Sequence, residues 1–295
     1  MQPMRRFLGV LLAAGLAAAP AHARLVAAPK PPAQRAVTAD AVVVGTVTAV
    51  EPAEVEAAPY PGAEEKVKFK VAVVKVKDDL AGADGRTHLR VGFVPPVGPP
   101  PAGTGGIPRP RGLTPPDLKE GAEFLFFLAK HPDAGFYLMP VMSPPVEAKG
   151  GGAKAEVEAV RKVLAVVADP MKALKAEKAE DRHAAAVALL GKYRSYPEFG
   201  GEVEEVPIPA EESKLILKGL TEGNWARFQR DRPNALQAFY SLGLTEADGW
   251  VPPNPRPAAP GRPVDINALT KKAFEAWLAG PGKDYVVKKV VAKKK

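Results

Sequence analysis

The chain has 295 residues, 46% of them hydrophobic and 25% charged, with 33 prolines, 27 glycines and no cysteine. That length holds two domains and a sizeable core, and the lack of cysteine excludes disulfides, thiolate metal sites and thiol nucleophiles. The formal net charge of +8 raises nucleic acid, anionic membrane or acidic polymer as partners until the charge is located along the chain.

Arg5 and Arg6, the apolar run Phe7 to Ala19 and the small-residue site Ala21-His22-Ala23 have the layout of a secretory signal peptide over 1–23. The apolar run is shorter than the ~20 residues of a transmembrane helix. No later segment approaches that length without charges. The expectation is an exported protein, periplasmic or extracellular, with no transmembrane segment in the mature chain. Residues 24–36 are rich in Pro and Ala and read as an extended lead-in.

Ala39 to Val50 is β-branched and nearly uncharged, which predicts a strand. Glu51 to Gly62 reads as a loop. Over Lys66 to Lys77, Val67, Phe69, Val71 and Val73 share one parity, whereas Val74 and Val76 take the other. That flip predicts a β-bulge or sharp bend near Val73-Val74. After a turn at Asp84-Gly85, His88 to Val94 alternates again, with Leu89, Val91 and Phe93 opposite His88 and Arg90. Residues 95–117 are dominated by Pro and Gly and form an insertion that carries Arg109 and Arg111. Glu123 to Ala129 predicts a fully buried strand, and Phe136 to Met142 a last one after a turn at His131 to Gly135. Five strands within 37–148 predict a small antiparallel β-barrel or sandwich.

Lys149 to Gly152 is a joint. Beyond it, helical spacing recurs over Lys154 to Ala168, Glu180 to Tyr193, Ala210 to Leu220, Pro233 to Leu242 and Asp265 to Ala279, with Asp265 as an N-cap. Ser195 to Pro209 and Val251 to Pro263 read as loops. The fold class expected is α+β: the barrel, then an all-α domain over 153–282, then a basic tail over 283–295.

The run Ala39-Asp40-Ala41-Val42-Val43-Val44-Gly45-Thr46-Val47, followed by a long strand at Lys66 to Lys77, a short one at His88 to Val94 and another at Gly121 to Leu128, resembles netrin-like domains. These are OB-type barrels that include the tissue inhibitors of metalloproteinases. The resemblance implies the barrel fold over about Ala39 to Met142. Those inhibitors hold a protease zinc with an N-terminal cysteine, and this chain has none, so the inhibitory mechanism has no residue to carry it. The second half, with Gly249-Trp250 and Trp277 to Pro281, is similar to the C-terminal parts of secreted bacterial proteins, a similarity that brings no activity with it.

Little in the chain points to catalysis. His88, His131 and His183 stand in three different predicted elements, with no pair at metal-ligand spacing. Ser143, Ser195, Ser213 and Ser241 lie in neither G-x-S-x-G nor S-x-x-K. Gly103-Thr104-Gly105-Gly106 lacks the lysine and the helix of a phosphate loop. No catalytic residue, metal or cofactor is assigned. Two functions remain. One is a non-catalytic envelope protein, a protein- or polymer-binding or scaffold module that uses the barrel and its insertion. The other is a secreted hydrolase, for example on polysaccharide. It requires Glu204, Glu205 or Glu212 to meet His183 and one of Trp225, Trp250 or Trp277 in a pocket.

The charge is local. Arg5 and Arg6 leave with the signal peptide, and the rest is nearly balanced apart from Lys288, Lys289, Lys293, Lys294 and Lys295. The binding residues expected are therefore Arg109, Arg111, Lys293, Lys294 and Lys295. Their partner is an unknown protein or an anionic envelope polymer. Nucleic acid is not expected, because export and the lack of aromatic–basic interleaving on a strand face speak against it.

Overall fold

The computed structural model describes residues 30–59, 63–94, 117–140, 143–225, 234–254 and 264–293. The signal-peptide expectation and most of the 95–117 insertion lie outside them. The chain is mixed α+β, with strands mostly in the first half and helices mostly in the second. Among the described residues no helix is long and apolar enough to cross a membrane.

The described chain opens with helix α1 (Pro32–Thr38), where the sequence predicts an extended lead-in. Proline at the first helical position fits, because its fixed φ suits that turn and no N–H is lost there. Tertiary packing supplies the rest. Ala36 joins Val42, Leu125, Phe127 and Val160 in one cluster, and the Arg35 guanidinium sits 4.5 Å over the Phe127 ring and donates to the Pro144 carbonyl.

Strands β1 (Ala41–Val50), β2 (Val55–Ala57), β3 (Val67–Ala81), β4 (His88–Phe93), β5 (Glu123–Lys130), β6 (Tyr137–Leu138) and β7 (Val146–Glu147) form one seven-stranded sheet. β1 runs antiparallel to β3 on one side and to β5 on the other. β3 pairs with β2 and β4, and β5 pairs with β6 and β7, all antiparallel. β4 and β6 are parallel, joined at Val91–Tyr137 and Gly92–Leu138, so the sheet is not purely antiparallel.

The irregularity expected near Val73-Val74 is present in the pairing of β1 with β3, but the extra residue lies on the partner strand. β3 keeps unbroken register with β4 from Lys70 to Lys75. The extra residue is Thr48 of β1, between the pairs Val47–Val74 and Ala49–Val73. β3 changes pattern because each of its faces is covered along a different stretch. Phe69 and Val71 pack with Ala57, Phe136 and Leu138. Ala72 and Val74 instead face Val43, Val91, Phe126 and Leu128.

The second half contains α2 (Ala153–Ala168), α3 (Pro170–Leu174), α4 (Ala179–Tyr193), α5 (Ala210–Thr221), α6 (Ala235–Ser241) and α7 (Ile266–Ala279). Its core gathers Leu189, Leu190, Ile216 and Leu220 with Trp225, Phe239, Trp250, Phe274 and Trp277. α4 and α5 approach closely at Gly219 and Gly223. A Cβ at Gly223 would lie 2.1 Å from the His183 ring.

This half is not all-α. Strands β8 (Val203–Pro207) and β9 (Lys288–Ala292) pair antiparallel, where the sequence predicts a loop and a free basic tail. Opposite charges favour the ribbon: Lys293 pairs with Glu202 at 3.3 Å, and Lys288 with Glu205 at 3.8 Å. Ser213 anchors it, since its hydroxyl accepts from the Val287 N–H at 2.9 Å and donates to the Tyr285 carbonyl at 3.3 Å.

Candidate functional site

A cleft of ≈ 270 Å³ opens beside β4 and the turn that joins β5 to β6. Alternation along β4 makes it. Leu89 and Val91 point into the core, so His88 and Arg90 stand on the opposite, exposed face. Further along that face Gly92 lets Phe136 fold over the strand, since a Cβ there would lie 2.4 Å from the Phe136 ring. The covered half of the face ends at Phe136 and the bare half begins at Arg90. β6 reaches β4 only at Val91 and Gly92. The earlier part of β4 therefore borders open space, with Lys130 and the His131 turn on the far side.

His131 builds that wall and is 4% exposed. Its Nδ1 accepts from the backbone N–H groups of Asp133 (3.1 Å) and Ala134 (3.0 Å). Two donors on Nδ1 place the ring proton on Nε2, which lies 3.0 Å from the Ala58 carbonyl and donates to it. The ring also packs on Phe136 and Phe199, at centroid distances of 5.3 and 4.9 Å. Both ring nitrogens are occupied, Nδ1 within the turn and Nε2 on Ala58, which is a structural role.

The lining is cationic. Arg86, Arg90 and Lys130 face the cleft beside His88, Tyr137 and Gly135. Glu51, at the end of β1, grips Arg90 with two bonds, Nε to Oε1 at 2.7 Å and Nη2 to Oε2 at 2.8 Å. That pairing holds the Glu51 carboxyl below the usual carboxylate range and raises the Arg90 guanidinium further. Arg86 is bound more loosely. Its Nη1 reaches the Tyr137 hydroxyl at 3.4 Å, with the guanidinium 6.0 Å from the ring centroid. Among the described residues no carboxylate pairs with Arg86 or Lys130. The arrangement can hold oxyanions; it contains no nucleophile paired with a base.

The binding residues expected from sequence lie elsewhere. Arg109, Arg111, Lys294 and Lys295 fall outside the described residues. Lys293 follows β9, and its N–H donates to the Glu202 carbonyl at 2.9 Å while its Nζ pairs with the Glu202 carboxylate. It belongs to the ribbon and not to the cleft.

The residues required for a hydrolase do not converge. Glu204 is exposed on β8, Glu205 pairs with Arg194 at 2.7 Å, and Glu212 accepts from the Tyr193 hydroxyl. Burial, and then that carboxylate, push the Tyr193 phenol well above its ordinary range. His183 donates through Nδ1 to the Gly219 carbonyl at 3.1 Å. Trp225, Trp250 and Trp277 are buried together, and the Trp225 and Trp277 indoles donate to the carbonyls of Leu220 and Asp248. Among the described residues no three His, Asp or Glu side chains gather to hold a metal ion.

Arg86, His88, Arg90 and Lys130 are the residues that sequence reasoning missed as a group. Two signals were present. His88 and Arg90 share the polar parity of their strand, and Lys130 immediately precedes a turn. The pairing of β4 with β6, which sets them around one opening, is not written in either segment alone. No protein-family model matches this chain, and no curated protein sequence matches it.

Proposed function

We propose that this chain is an exported, non-catalytic binding protein of the cell envelope, whose first half is an OB-type barrel. The strand pairings support the barrel: β1 to β3, β3 to β4, β4 to β6, β6 to β5, and β5 back to β1. Barrels of that type bind through one open face and the loops that border it. The basic cleft occupies such a face and is bordered by the β5–β6 turn. The helical half braces the barrel through α2, which together with α1 covers the outer side of β1 and β5. The observation that carries the reading is the meeting of Arg86 and Lys130, neither paired with a carboxylate among the described residues, in one cleft with the pre-set Arg90. Its partner is an anionic polymer or an acidic protein surface.

The test is retention of the purified mature chain on isolated cell-envelope material across a salt series. Wild type is expected to be retained at low salt and released as salt rises. R86A/K130A is expected to pass through at every salt concentration. Unchanged retention of the double variant removes the cleft from the reading. N-terminal sequencing of the chain recovered outside the cytoplasm should begin near Arg24, and a chain found only in the cytoplasm overturns the export part.

A further inference from the structure

We infer that the ligand of this cleft is a linear polycarboxylate that crosses several cations at once, an inference that rests on the binding function proposed above. Three observations lead to it. First, none of the cleft cations is enclosed. Arg86, Arg90 and Lys130 are all exposed, and an exposed ion pair contributes little because water and salt screen it. A lone anion finds no built pocket. Several weak contacts on one chain do add, because the first holds the next at high effective concentration.

Second, one further cation stands just beyond the cleft. Register places Lys75 of β3 directly opposite His88 of β4, so both stand on the same face, at the ~4.5–5.5 Å of a cross-strand pair. His88 and Arg90, two residues apart on one strand, are ~6.6–6.8 Å apart along it. Lys75 thus stands on the sheet next to His88, which lines the cleft together with Arg86, Arg90 and Lys130. The aromatic rings of the cleft do not offer a stacking surface, since Phe136 and Tyr137 are both buried. Charge, and not ring stacking, makes the grip.

Third, the face already holds a carboxylate. The Glu51 carboxyl meets Arg90 edge-on with both oxygens, the fork-to-fork geometry of a planar anion. The ligand repeats that planar group along its length.

The experiment measures binding of the full mature chain to polygalacturonate, to monomeric galacturonate at equal carboxylate concentration, and to polyphosphate at equal charge. Polygalacturonate is expected to bind with an affinity that falls steeply with salt, and the monomer not to bind in the same range. R86A/K130A is expected to weaken polymer binding about tenfold or more, and R86K/K130R to restore most of it. K154A/K162A, which removes two exposed lysines of α2, should leave it unchanged. Equal binding of monomer and polymer overturns the multivalent grip. Tighter binding of polyphosphate overturns the carboxylate class, and an equal loss in K154A/K162A overturns the location. If polygalacturonate fails while retention on envelope material still requires Arg86 and Lys130, the ligand inferred here is wrong and the binding function stands.

Discussion

The two halves of the molecule use their charged groups in opposite ways. In the helical half, ion pairs close the junctions between elements. Arg182 holds Glu222 with two bonds at 2.8 and 2.9 Å and caps the carbonyls of Ala176 and Glu177. Arg194 ties the end of α4 to Ser241 and Glu205. In the β half, Arg86 and Lys130 border an opening instead. The cores differ as well. The helical core is aromatic, with Phe274 stacked on Trp277 at 5.7 Å and flanked by Phe239 and Trp225. The sheet is filled by valine, leucine and phenylalanine in alternation. Ion pairs that tie one element to the next suit the helical half to bracing, whereas the gathering of Arg86, Arg90 and Lys130 around one cleft suits the β half to recognition.

The largest expected effect tests the brace. Phe274 is fully buried among three aromatic rings. Phe274→Ala removes that volume from a packed core and should cost ~3–5 kcal/mol in denaturant unfolding. At temperatures where the variant remains folded, polyanion retention should match wild type. A parallel loss of retention breaks the division of labour and makes the two halves one functional unit.

The mirror experiment lies in the β half. Gly92→Ala places a methyl group 2.4 Å from the Phe136 ring, which must move and carry the His131 turn with it. Overpacking of this kind costs ~1–3 kcal/mol. Retention should fall several-fold, because the displaced turn is a wall of the cleft, and hydrogen exchange should quicken at Asp133 and Ala134 while α5 and α7 stay protected. Unchanged retention separates the turn from the site.

The first strands were legible because their signal is local. β1, β3, β4 and β5 each alternate or run apolar within one short segment; the structure places β1, β4 and β5 within a residue or two of expectation, and β3 starts as expected but runs four residues past Lys77 to Ala81. α1 was not legible, since Pro32-Ala33-Gln34 resembles a tether until Val42 and Phe127 are present to receive its buried side. Nor was the β8–β9 ribbon, whose partners are some eighty residues apart in sequence. The cleft fails for the same reason, because Arg86 and Lys130 meet only through the β4–β6–β5 pairing. Ser213 is the plainest case of a non-local role. Read from sequence it is one of four scattered serines, but in the fold it accepts the Val287 N–H at a fully buried site. Ser213→Ala should leave that donor unsatisfied at a cost of ~1–3 kcal/mol. The expected readout is faster hydrogen exchange along β9 with the seven-stranded sheet unaffected. Unchanged exchange at Val287 removes Ser213 as the anchor of the ribbon.

The smallest effect comes from Glu51, the carboxylate that among the described residues pairs with a cation of the cleft, and it should move stability and binding in opposite directions. The Glu51 carboxyl is held below its ordinary range by Arg90. A carboxylate depressed in the folded state contributes stability that is present above its unfolded range and is lost as pH falls through the folded value. Both side chains are partly exposed, 28% for Glu51 and 44% for Arg90, so screening keeps the contribution below ~1 kcal/mol. Glu51→Gln should therefore lower stability slightly at neutral pH and converge with wild type in acid, below the carboxylate range. The same substitution leaves Arg90 without its internal anion on the face that lines the cleft. Retention of a polyanion at neutral pH should then rise, with a steeper dependence on salt. If retention instead falls, Glu51 serves the site by positioning Arg90, and the fork is part of the binding surface rather than a competitor for it.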